Sequence, residues 1–309
     1  MTPPPPRWAL ATAVCVAVTS AAACKGGREQ EKPAASAVPA PSAAPAAKTV
    51  RFVREPATVG EKRHATRAST LKLSVEFWQE GEKLGTSDSL RKESFDRTLT
   101  VLGLVGDAPA KASVHYDRYH WEENVPGKPA NENSLLEGKT YSLDATDGAL
   151  QLSTAGGKPV APEEADQLRK LHTGLGKDDP VVAVIGDTSL SVGQPLTMGR
   201  ELLRALLNSE TGKLNSGRIW LEEVRSVDGR DAAVFKWTAD TQSEGENGLQ
   251  IGWHMSGTTI VAVAPAMTLS TSMKGSLDVS GETHQRGARV TLAGAGAVED
   301  ESALTVTAP

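Results

Sequence analysis

Apolar and polar side chains alternate along several segments of this chain. The clearest segments are residues 70–77, 251–256 and 267–274, where every second position is apolar or a threonine. Successive side chains of a β-strand point to opposite faces of a sheet, so this pattern predicts strands with one buried and one solvent-facing side. Asp147-Gly148 and Asp228-Gly229 lie between such segments and are typical of tight hairpin turns. The chain is therefore predicted to be mainly antiparallel β.

Two segments follow a helical repeat instead. Residues 162–175 begin with a proline and two glutamates, and Leu168, Leu171 and Leu175 then fall on one face. Residues 198–207 carry a stripe of methionine, leucine and alanine at helical spacing. We predict two short helices here, at about residues 162–175 and 198–207, each with its apolar stripe packed on a sheet.

An approximate internal repeat divides the folded part of the chain. Residues 102–119 and 221–239 share a strand, an aspartate-containing turn and an alanine-rich strand with aromatic side chains. Further matching pairs are residues 136–139 with 273–276, Gly148 with Gly287, and Gly156-Gly157 with Gly294–Gly296. The repeat predicts two similar curved β-sheet units, half-barrel or sandwich-like, at residues 49–161 and 162–309, with the two helices joining them (an α+β arrangement).

The first 24 residues have the properties of an export signal. Residues 1–7 carry one basic side chain and no acid, and residues 8–23 are uncharged and rich in alanine and valine. The uncharged segment is shorter than the about 20 residues that a membrane-spanning helix needs. Three alanines then precede Cys24, as in a bacterial lipobox. We predict a lipoprotein signal peptide at residues 1–23 with lipid attached to Cys24; cleavage after Ala23 by the ordinary signal peptidase is the alternative.

Residues 24–48 are rich in alanine and proline and have almost no large apolar side chains, so they are predicted to form a disordered tether. The other cysteine, Cys15, lies in the predicted signal peptide, so no disulfide within the processed chain is expected.

Lys25 follows Cys24, and by the enterobacterial sorting rule the lack of aspartate there favours the outer membrane. A formal net charge of −5 argues against nucleic-acid partners, which require a basic surface.

Recognised catalytic motifs are absent from the sequence. It has no nucleophile elbow, zinc-protease motif, dinucleotide-binding glycine motif or phosphate-binding loop. The Ser-x-x-Lys spacing occurs at Ser69–Lys72 and Ser89–Lys92, without the other elements of the penicillin-binding serine enzymes. We therefore predict no catalytic residues, no cofactor site and no metal site, and we expect the protein not to be an enzyme.

One short segment concentrates two histidines, an aspartate and three aromatic side chains. On a regular strand, His115 would share one face with Asp117 and Tyr119. His120 would then lie on the other face with Tyr116, and the two histidines could not bind one ion. We interpret the segment as an aromatic-rich strand. The remaining histidines, isolated in the sequence, are His64, His172, His254 and His284.

Two groups of acidic residues are interpreted as local structure. Asp178-Asp179-Pro180 is predicted to cap a helix or turn the chain after the first helix. Asp144 and Asp147-Gly148 lack the number of ligands and the terminal glutamate of a calcium loop, so a hairpin turn is predicted.

The chain resembles uncharacterised lipoproteins of myxobacteria and similar high-GC proteobacteria. The resemblance lies in residues 21–24, in the alanine- and proline-rich tether, and in Leu136–Tyr141 followed by Asp147-Gly148. It implies a place in the cell envelope and no particular activity. Ala21 departs from the commonest lipobox, which has leucine at that position.

The sequence leaves three functions open. The first is a non-enzymatic, lipid-anchored envelope protein that binds an apolar ligand or an envelope partner through a curved sheet. In this case the apolar face, including Phe235 and Trp237 or Trp253 and Met255, would line a cavity. The second is a structural or interaction module with a solid core and no ligand. The third is a hydrolase of unrecognised type.

Overall fold

The structure is a computed structural model that describes residues 48–126, 131–186, 189–207, 213–244, 249–285 and 288–309. The predicted signal peptide, Cys24 and the tether up to residue 47 lie outside the described residues, as does Gly287. No helix within the described ranges is both long and apolar enough to cross a membrane.

Strands make up most of the described chain, as predicted, and three short helices interrupt them. The strands are β1 (Thr49–Arg51), β2 (Lys62–Gln79), β3 (Glu82–Val105), β4 (Ala108–Asn124), β5 (Asn131–Asn133), β6 (Thr140–Asp144), β7 (Gln151–Thr154), β8 (Ser189–Ser191), β9 (Pro195–Thr197), β10 (Lys213–Val227), β11 (Arg230–Glu244), β12 (Gln250–Ala262), β13 (Met267–Gln285) and β14 (Ala288–Thr307). The helices are α1 (Pro162–Leu171), α2 (Pro180–Ile185) and α3 (Arg200–Leu207).

Twelve of the strands form one antiparallel sheet. Its order is β7-β6-β4-β3-β2-β14-β13-β12-β11-β10-β9, with β5 paired to β4, while β1 and β8 form a separate two-stranded sheet. β2 pairs with β14 from Lys62 opposite Thr307 to Trp78 opposite Thr291. The two expected β units are therefore continuous with each other in a single curved sheet, which stays open and does not close into a barrel.

The helices lie in the segment 162–207. α1 and α2 come between edge strand β7 and the opposite edge strand β9 in the chain, and α3 comes between β9 and β10. α1 packs on β3, β4 and β6, whereas α2 and α3 pack on β10, β11 and β12. We call this side of the sheet the covered face and the other side the open face. α1 and α3 confirm the two predicted helices, and both are shorter than predicted. α2 was not predicted, because its β-branched sequence PVVAVI has no helical pattern.

Asp179 explains why this β-branched segment is helical. Its Oδ1 accepts hydrogen bonds from the backbone N–H groups of Val181 (2.9 Å) and Val182 (3.1 Å), which caps the N-terminus of α2. The same carboxylate accepts from the backbone N–H of Thr268 on β13 (2.8 Å) and from its hydroxyl (3.1 Å). One side chain therefore both starts α2 and attaches it to the centre of the sheet, which confirms the capping interpretation of this acidic group.

Glycines on the covered face allow neighbouring strands to pack closely. A Cβ added at Gly257 would lie 2.4 Å from the Trp237 ring, and one at Gly296 would lie 2.4 Å from the carbonyl oxygen of Lys72 and 2.8 Å from Leu277 Cδ2. Large side chains thus lie over glycines of the next strand, where no other residue leaves room. This packing contributes to the buried apolar layer on the covered face.

Only the first part of the predicted repeat is found in the structure. Residues 102–119 and 221–239 both form the end of one strand, a turn and the next strand, in the β3–β4 and β10–β11 hairpins. The later pairs do not match. Residues 136–139 lie at a turn, whereas 273–276 lie within β13. The glycines at 294 and 296 lie inside β14, while Gly156 and Gly157 lie in a turn.

A β-bulge in β4 changes which aromatic residues share a face. Asp96 pairs with Arg118 and the next residue of β3, Arg97, pairs with Tyr116, so Asp117 is an extra residue in β4. Tyr116 and Tyr119 are therefore both buried on the covered face, with ring centroids 6.0 Å apart. The prediction that these tyrosines lie on opposite faces was wrong, because a bulge shifts the alternation by one residue.

The Asp179 hydrogen bonds give a test of the fold. We expect Asp179→Ala to lower the free energy of unfolding by about 2–3 kcal/mol, because it removes a helix cap and leaves a half-buried donor of β13 without its partner. Urea denaturation followed by circular dichroism measures the change. Asp178→Ala is the matched control: its side chain is 57% exposed and forms an ion pair with Arg54, so the expected loss is below about 1 kcal/mol. Equal losses in the two variants would contradict this role.

Candidate functional site

A groove lies between the helices and the covered face of the sheet. Its volume is about 370 Å³. The floor is formed by β2, β3, β13 and β14, and the roof by the end of α1, the start of α2 and the end of α3. The groove therefore exists because segment 162–207 crosses the sheet without filling the space between its helices. Volumes of this size are at the lower end of small-molecule sites.

Much of the groove wall is apolar, and Asp179 together with threonine and serine side chains completes its lining. Leu171 from the end of α1, Val181 from α2 and Leu206 from α3 face the sheet side chains Phe95 and Met273 across it. Leu206 also belongs to the core that fixes α3 on the sheet. These side chains come from parts of the chain that are far apart in sequence, so no local pattern identifies them as one surface.

An arginine and an aspartate on the groove floor form an ion pair and neutralise each other's charge. Arg67 on β2 donates from Nη2 to Asp300 Oδ2 on β14 (2.6 Å) and from Nε to the same oxygen (3.1 Å). Burial disfavours the charged guanidinium, but the hydrogen bonds and the charge of Asp300 outweigh that effect, so the pKa of Arg67 is raised. This pair joins the first and last long strands of the sheet.

A second arginine at the end of the groove has no acidic partner. Arg97 Nη1 donates to the hydroxyl oxygen of Tyr116 (3.2 Å) and to the carbonyl oxygen of Leu171 (3.3 Å), and its guanidinium lies 4.6 Å from the centre of the Phe95 ring. Among the residues that the structure describes, no carboxylate lies within ion-pair distance of Arg97. Its guanidinium is therefore hydrogen-bonded to neutral groups alone.

The third member of this cluster is His172, which is 6% exposed. Its Nε2 lies 2.9 Å from the hydroxyl of Tyr116 and 3.2 Å from Arg97 Nη1. Burial, and then the charge of Arg97, hold the pKa of His172 well below its usual value, so the imidazole is neutral and Nε2 is a hydrogen-bond acceptor. Burial likewise raises the pKa of Tyr116. The cluster thus packs α1 against the sheet with its polar atoms in mutual contact.

The aromatic residues that were expected to line a cavity form core instead. Phe235 and Trp237 are fully buried under α2, α3 and β1, where Phe235 stacks on Phe52 and Trp237 donates to Thr259 Oγ1 (3.2 Å). Trp253 packs at the edge of the same core, and Met255 is buried in it. None of the four lines the groove described above, because they lie in or beside the core that α2 and α3 cover. The groove lies nearer the middle of the sheet.

A second depression, of about 540 Å³, lies on the open face. Most of its lining consists of hydroxyl and charged side chains of β2, β11, β12, β13 and β14, including Lys236, Lys274 and Glu299. Lys274 pairs with Glu299 at 3.2 Å. This surface presents fewer apolar side chains than the groove on the covered face does, so it suits an apolar ligand less well.

The other candidates from the sequence are not brought together into a catalytic arrangement. Ser69 and Lys72 point to opposite faces of β2, as Ser89 and Lys92 do on β3, so neither serine can use its lysine as a base. Asp144 accepts hydrogen bonds from Thr146 in the predicted β6–β7 turn, and these bonds lower the pKa of Asp144 to about 2. The side chain of His284 lies outside the described residues.

Sequence reasoning did not identify Arg97 or His172 as site residues, since they are separated by 75 positions and His172 has no local motif.

Comparison with known proteins gives no family. No family model matches the chain, and no curated protein matches it. One solved structure, described as "Lipid-protein interactions in lipovitellin", is similar with a TM-score of 0.38 and 9% sequence identity, over 80% of this chain and 26% of that chain. The chain thus spans about a quarter of the length of that protein. The similarity is too weak to transfer a ligand or a function.

The buried histidine predicts a specific pH dependence. Because the folded-state pKa of His172 lies below its unfolded value of about 6.5, its contribution is complete above that pH and is lost as the pH falls. We expect this group to remove about 1 kcal/mol from the free energy of unfolding between pH 7.5 and pH 5.5. Urea denaturation at the two pH values measures this loss, which His172→Gln should abolish.

His254→Gln is the control for this experiment. His254 is exposed, and the hydrogen bond and charge of Asp240 raise its pKa, so its stabilising effect is present at low pH and is lost as the pH rises. Replacing His254 therefore cannot remove the loss on acidification. An unchanged loss in His172→Gln would show that His172 does not cause it.

Proposed function

We propose that this protein is a lipid-anchored, non-enzymatic protein of the cell envelope that binds an amphiphile in the groove beneath its helices. The amphiphile has one apolar chain and an anionic head group. The observation that carries this proposal is Arg97, a partly buried guanidinium with no carboxylate partner among the described residues, at the end of an apolar-walled groove.

The head group follows from the electrostatics of Arg97. A charge that is partly removed from water is costly unless it is paired, and hydrogen bonds between guanidinium and carboxylate or phosphate are among the strongest in proteins. An anionic head group at Arg97 would supply the missing partner. Arg67 does not compete for this anion, because Asp300 already neutralises it.

The chain length follows from the size and lining of the groove. A volume of about 370 Å³ suits one acyl chain better than a lipid with several chains. The apolar walls formed by Leu171, Leu206 and Phe95 would take up this chain, with a gain of about 0.8 kcal/mol for each methylene group removed from water.

A binding role fits the cluster around His172 better than catalysis does. A general base needs a free lone pair that faces the substrate, whereas His172 Nε2 is already in contact with Tyr116 and Arg97. The raised pKa of Tyr116 keeps its hydroxyl protonated, so it is not a ready nucleophile.

The envelope location rests on the sequence before residue 49. An uncharged apolar segment, the Ala21–Cys24 box and an alanine- and proline-rich spacer together support an anchor at Cys24, with the outer membrane as the proposed site. A tethered domain of this kind would meet amphiphiles at the membrane surface, where their concentration is highest.

The groove is tested with a fluorescent fatty acid, 11-(dansylamino)undecanoic acid, added to the full-length protein. We expect saturable binding with an increase in emission, because the probe leaves water. Ser302→Phe places a large side chain on the groove floor and should weaken binding at least tenfold. Ala297→Phe, on the exposed side of the same strand, is the matched control and should bind like the wild type. Equal affinity of all three proteins would overturn the groove assignment.

The head-group preference is tested by displacement of the same probe. Dodecanoate should displace it at least tenfold more effectively than dodecanol, and Arg97→Gln should remove this preference, because it removes the positive charge. Retention of the preference in Arg97→Gln would show that Arg97 does not hold the head group.

The anchor is tested by fractionation of cells that produce Cys24→Ala. We expect the wild type in the membrane fraction and the variant in the soluble fraction, because lipid attachment needs the thiol. Cys24→Ala that stays in the membrane fraction would contradict lipid anchoring.

A further inference from the structure

The open face of the sheet carries a row of side chains with alternating chemistry. His64 on β2 pairs directly with Thr98 on β3, Thr98 with His115 on β4, and His115 with Thr140 on β6. Neighbours in such a row are close enough for their side chains to touch. Two histidines thus lie on one face of four adjacent strands, with a threonine beside each of them.

The bulge in β4 adds a carboxylate to this surface. Asp117 is the extra residue, and with Asp96 on β3 it lies on the open face beside the row of histidines. A bulge re-aims the side chain that it carries. The prediction that Asp117 shares a face with His115 is confirmed, and the bulge also brings this carboxylate close to His64 on β2, which the sequence did not suggest.

Three ligand atoms converge at this point. One atom from each of His64, Asp96 and Asp117 lies within 4.8 Å of the others. His64 Nε2 is 3.4 Å from Asp96 Oδ1. Zinc–ligand distances of about 2.0–2.2 Å place neighbouring ligand atoms of a tetrahedral site about 3.3–3.6 Å apart, so a small closure of Asp117 completes the geometry.

Both histidines are oriented from behind by a hydroxyl. Nδ1 of His64 lies 3.4 Å from Thr98 Oγ1, and Nδ1 of His115 lies 2.9 Å from Thr140 Oγ1. Each Nε2 is left facing a carboxylate, with His115 Nε2 3.6 Å from Asp117 Oδ1. In metal sites the second ring nitrogen of a histidine ligand is commonly held in this way, which fixes the ring and the tautomer.

One oxygen of the group is buried and lacks a hydrogen bond. Asp96 Oδ1 has no hydrogen-bond partner among the described residues and is shielded from solvent, although the side chain as a whole is 21% exposed. The nearby Arg118, whose side chain is 80% exposed, lies 3.6 Å from the other oxygen, Oδ2. Apart from the imidazole of His64 at 3.4 Å, this buried acceptor has no partner, which is costly, and a bound cation would remove that cost.

We propose that His64, Asp96 and Asp117 form a binding site for a divalent transition-metal ion of the zinc type. Imidazole and carboxylate ligands in a three-residue set suit zinc, whereas magnesium and calcium take six or more oxygen ligands. The two carboxylates balance the ion's charge, and the fourth position faces water. The ligands stand on paired strands, so only a small closure is needed when the ion binds. This site is separate from the groove, which lies on the covered face.

The test is a titration of the full-length, chelator-treated protein with zinc, by competition with a chromophoric chelator at pH 7.5. We expect one zinc ion per chain with micromolar or tighter affinity, and a rise in the thermal midpoint of unfolding with zinc concentration. His64→Gln and Asp117→Asn should each weaken binding at least tenfold. Asp117 is an exposed bulge residue, so its variant tests the site even where a strand substitution perturbs folding.

His254→Gln is the matched control. His254 is also a histidine between two aspartates on the open face, but Asp240 faces its Nδ1 (2.9 Å) and Asp278 faces its Nε2 (3.5 Å), on opposite sides of the ring. It should bind zinc like the wild type. Cobalt(II) gives a second measurement: a tetrahedral site produces intense visible absorption, which His64→Gln should remove. Absence of one-to-one binding, a weak octahedral cobalt spectrum, or equal weakening by His254→Gln would overturn the proposal.

Discussion

The pairing of β2 with β14 is the constraint on which the rest of the molecule depends. It joins Lys62–Trp78 to Thr291–Thr307, so the first and the last long strands lie side by side at the centre of the sheet. The ion pair between Arg67 and Asp300 spans the same junction. Without this pairing there would be two separate meanders, each with a long unpaired edge. Contacts so distant in sequence form late, so we expect slow folding of this sheet.

The segment 162–207 turns this symmetrical sheet into one with two different faces. After β7 the chain crosses one face of the sheet through α1 and α2 to reach β9, and α3 then packs on the same face before β10. On the covered face these helices bury the aromatic core and leave the groove between the end of α1 and the packed pair of α2 and α3. On the open face hydroxyl, carboxylate and imidazole side chains stay accessible. Both proposed sites are consequences of this one crossing.

The sequence predicted the strands well because burial in this sheet follows a strict alternation. In β14, for example, Leu292 and Val298 are buried. Between them, exposed alanines alternate with half-buried glycines. The exceptions come from events that leave no local signal. The bulge at Asp117 places Tyr119 on the covered face. α2 is helical because Asp179 accepts hydrogen bonds both from its N-terminus and from the distant strand β13.

The proposed sites were less accessible to sequence reasoning than the fold. Arg97 and His172 meet only because α1 docks on β3, and His64 reaches Asp117 only across two strand pairings and a bulge. Each residue looks ordinary in its own segment. The cysteine proposed for lipid attachment is the opposite case: Cys24 has a strong local signal in the sequence, and it lies outside the described residues.

The short edge strand β9 leaves part of β10 unpaired, and an unpaired strand edge can promote self-association. It pairs with β10 only at Arg218–Trp220, and a long exposed strand edge is a template for aggregation. Further along β10, however, the backbone oxygen of Leu221 accepts from Gly193 N–H, and that of Val224 accepts from Lys48. Charged side chains at Glu222, Glu223 and Arg225 follow along the same strand. The edge is thus already occupied or charged along much of its length, which disfavours edge-to-edge pairing of two copies of the chain.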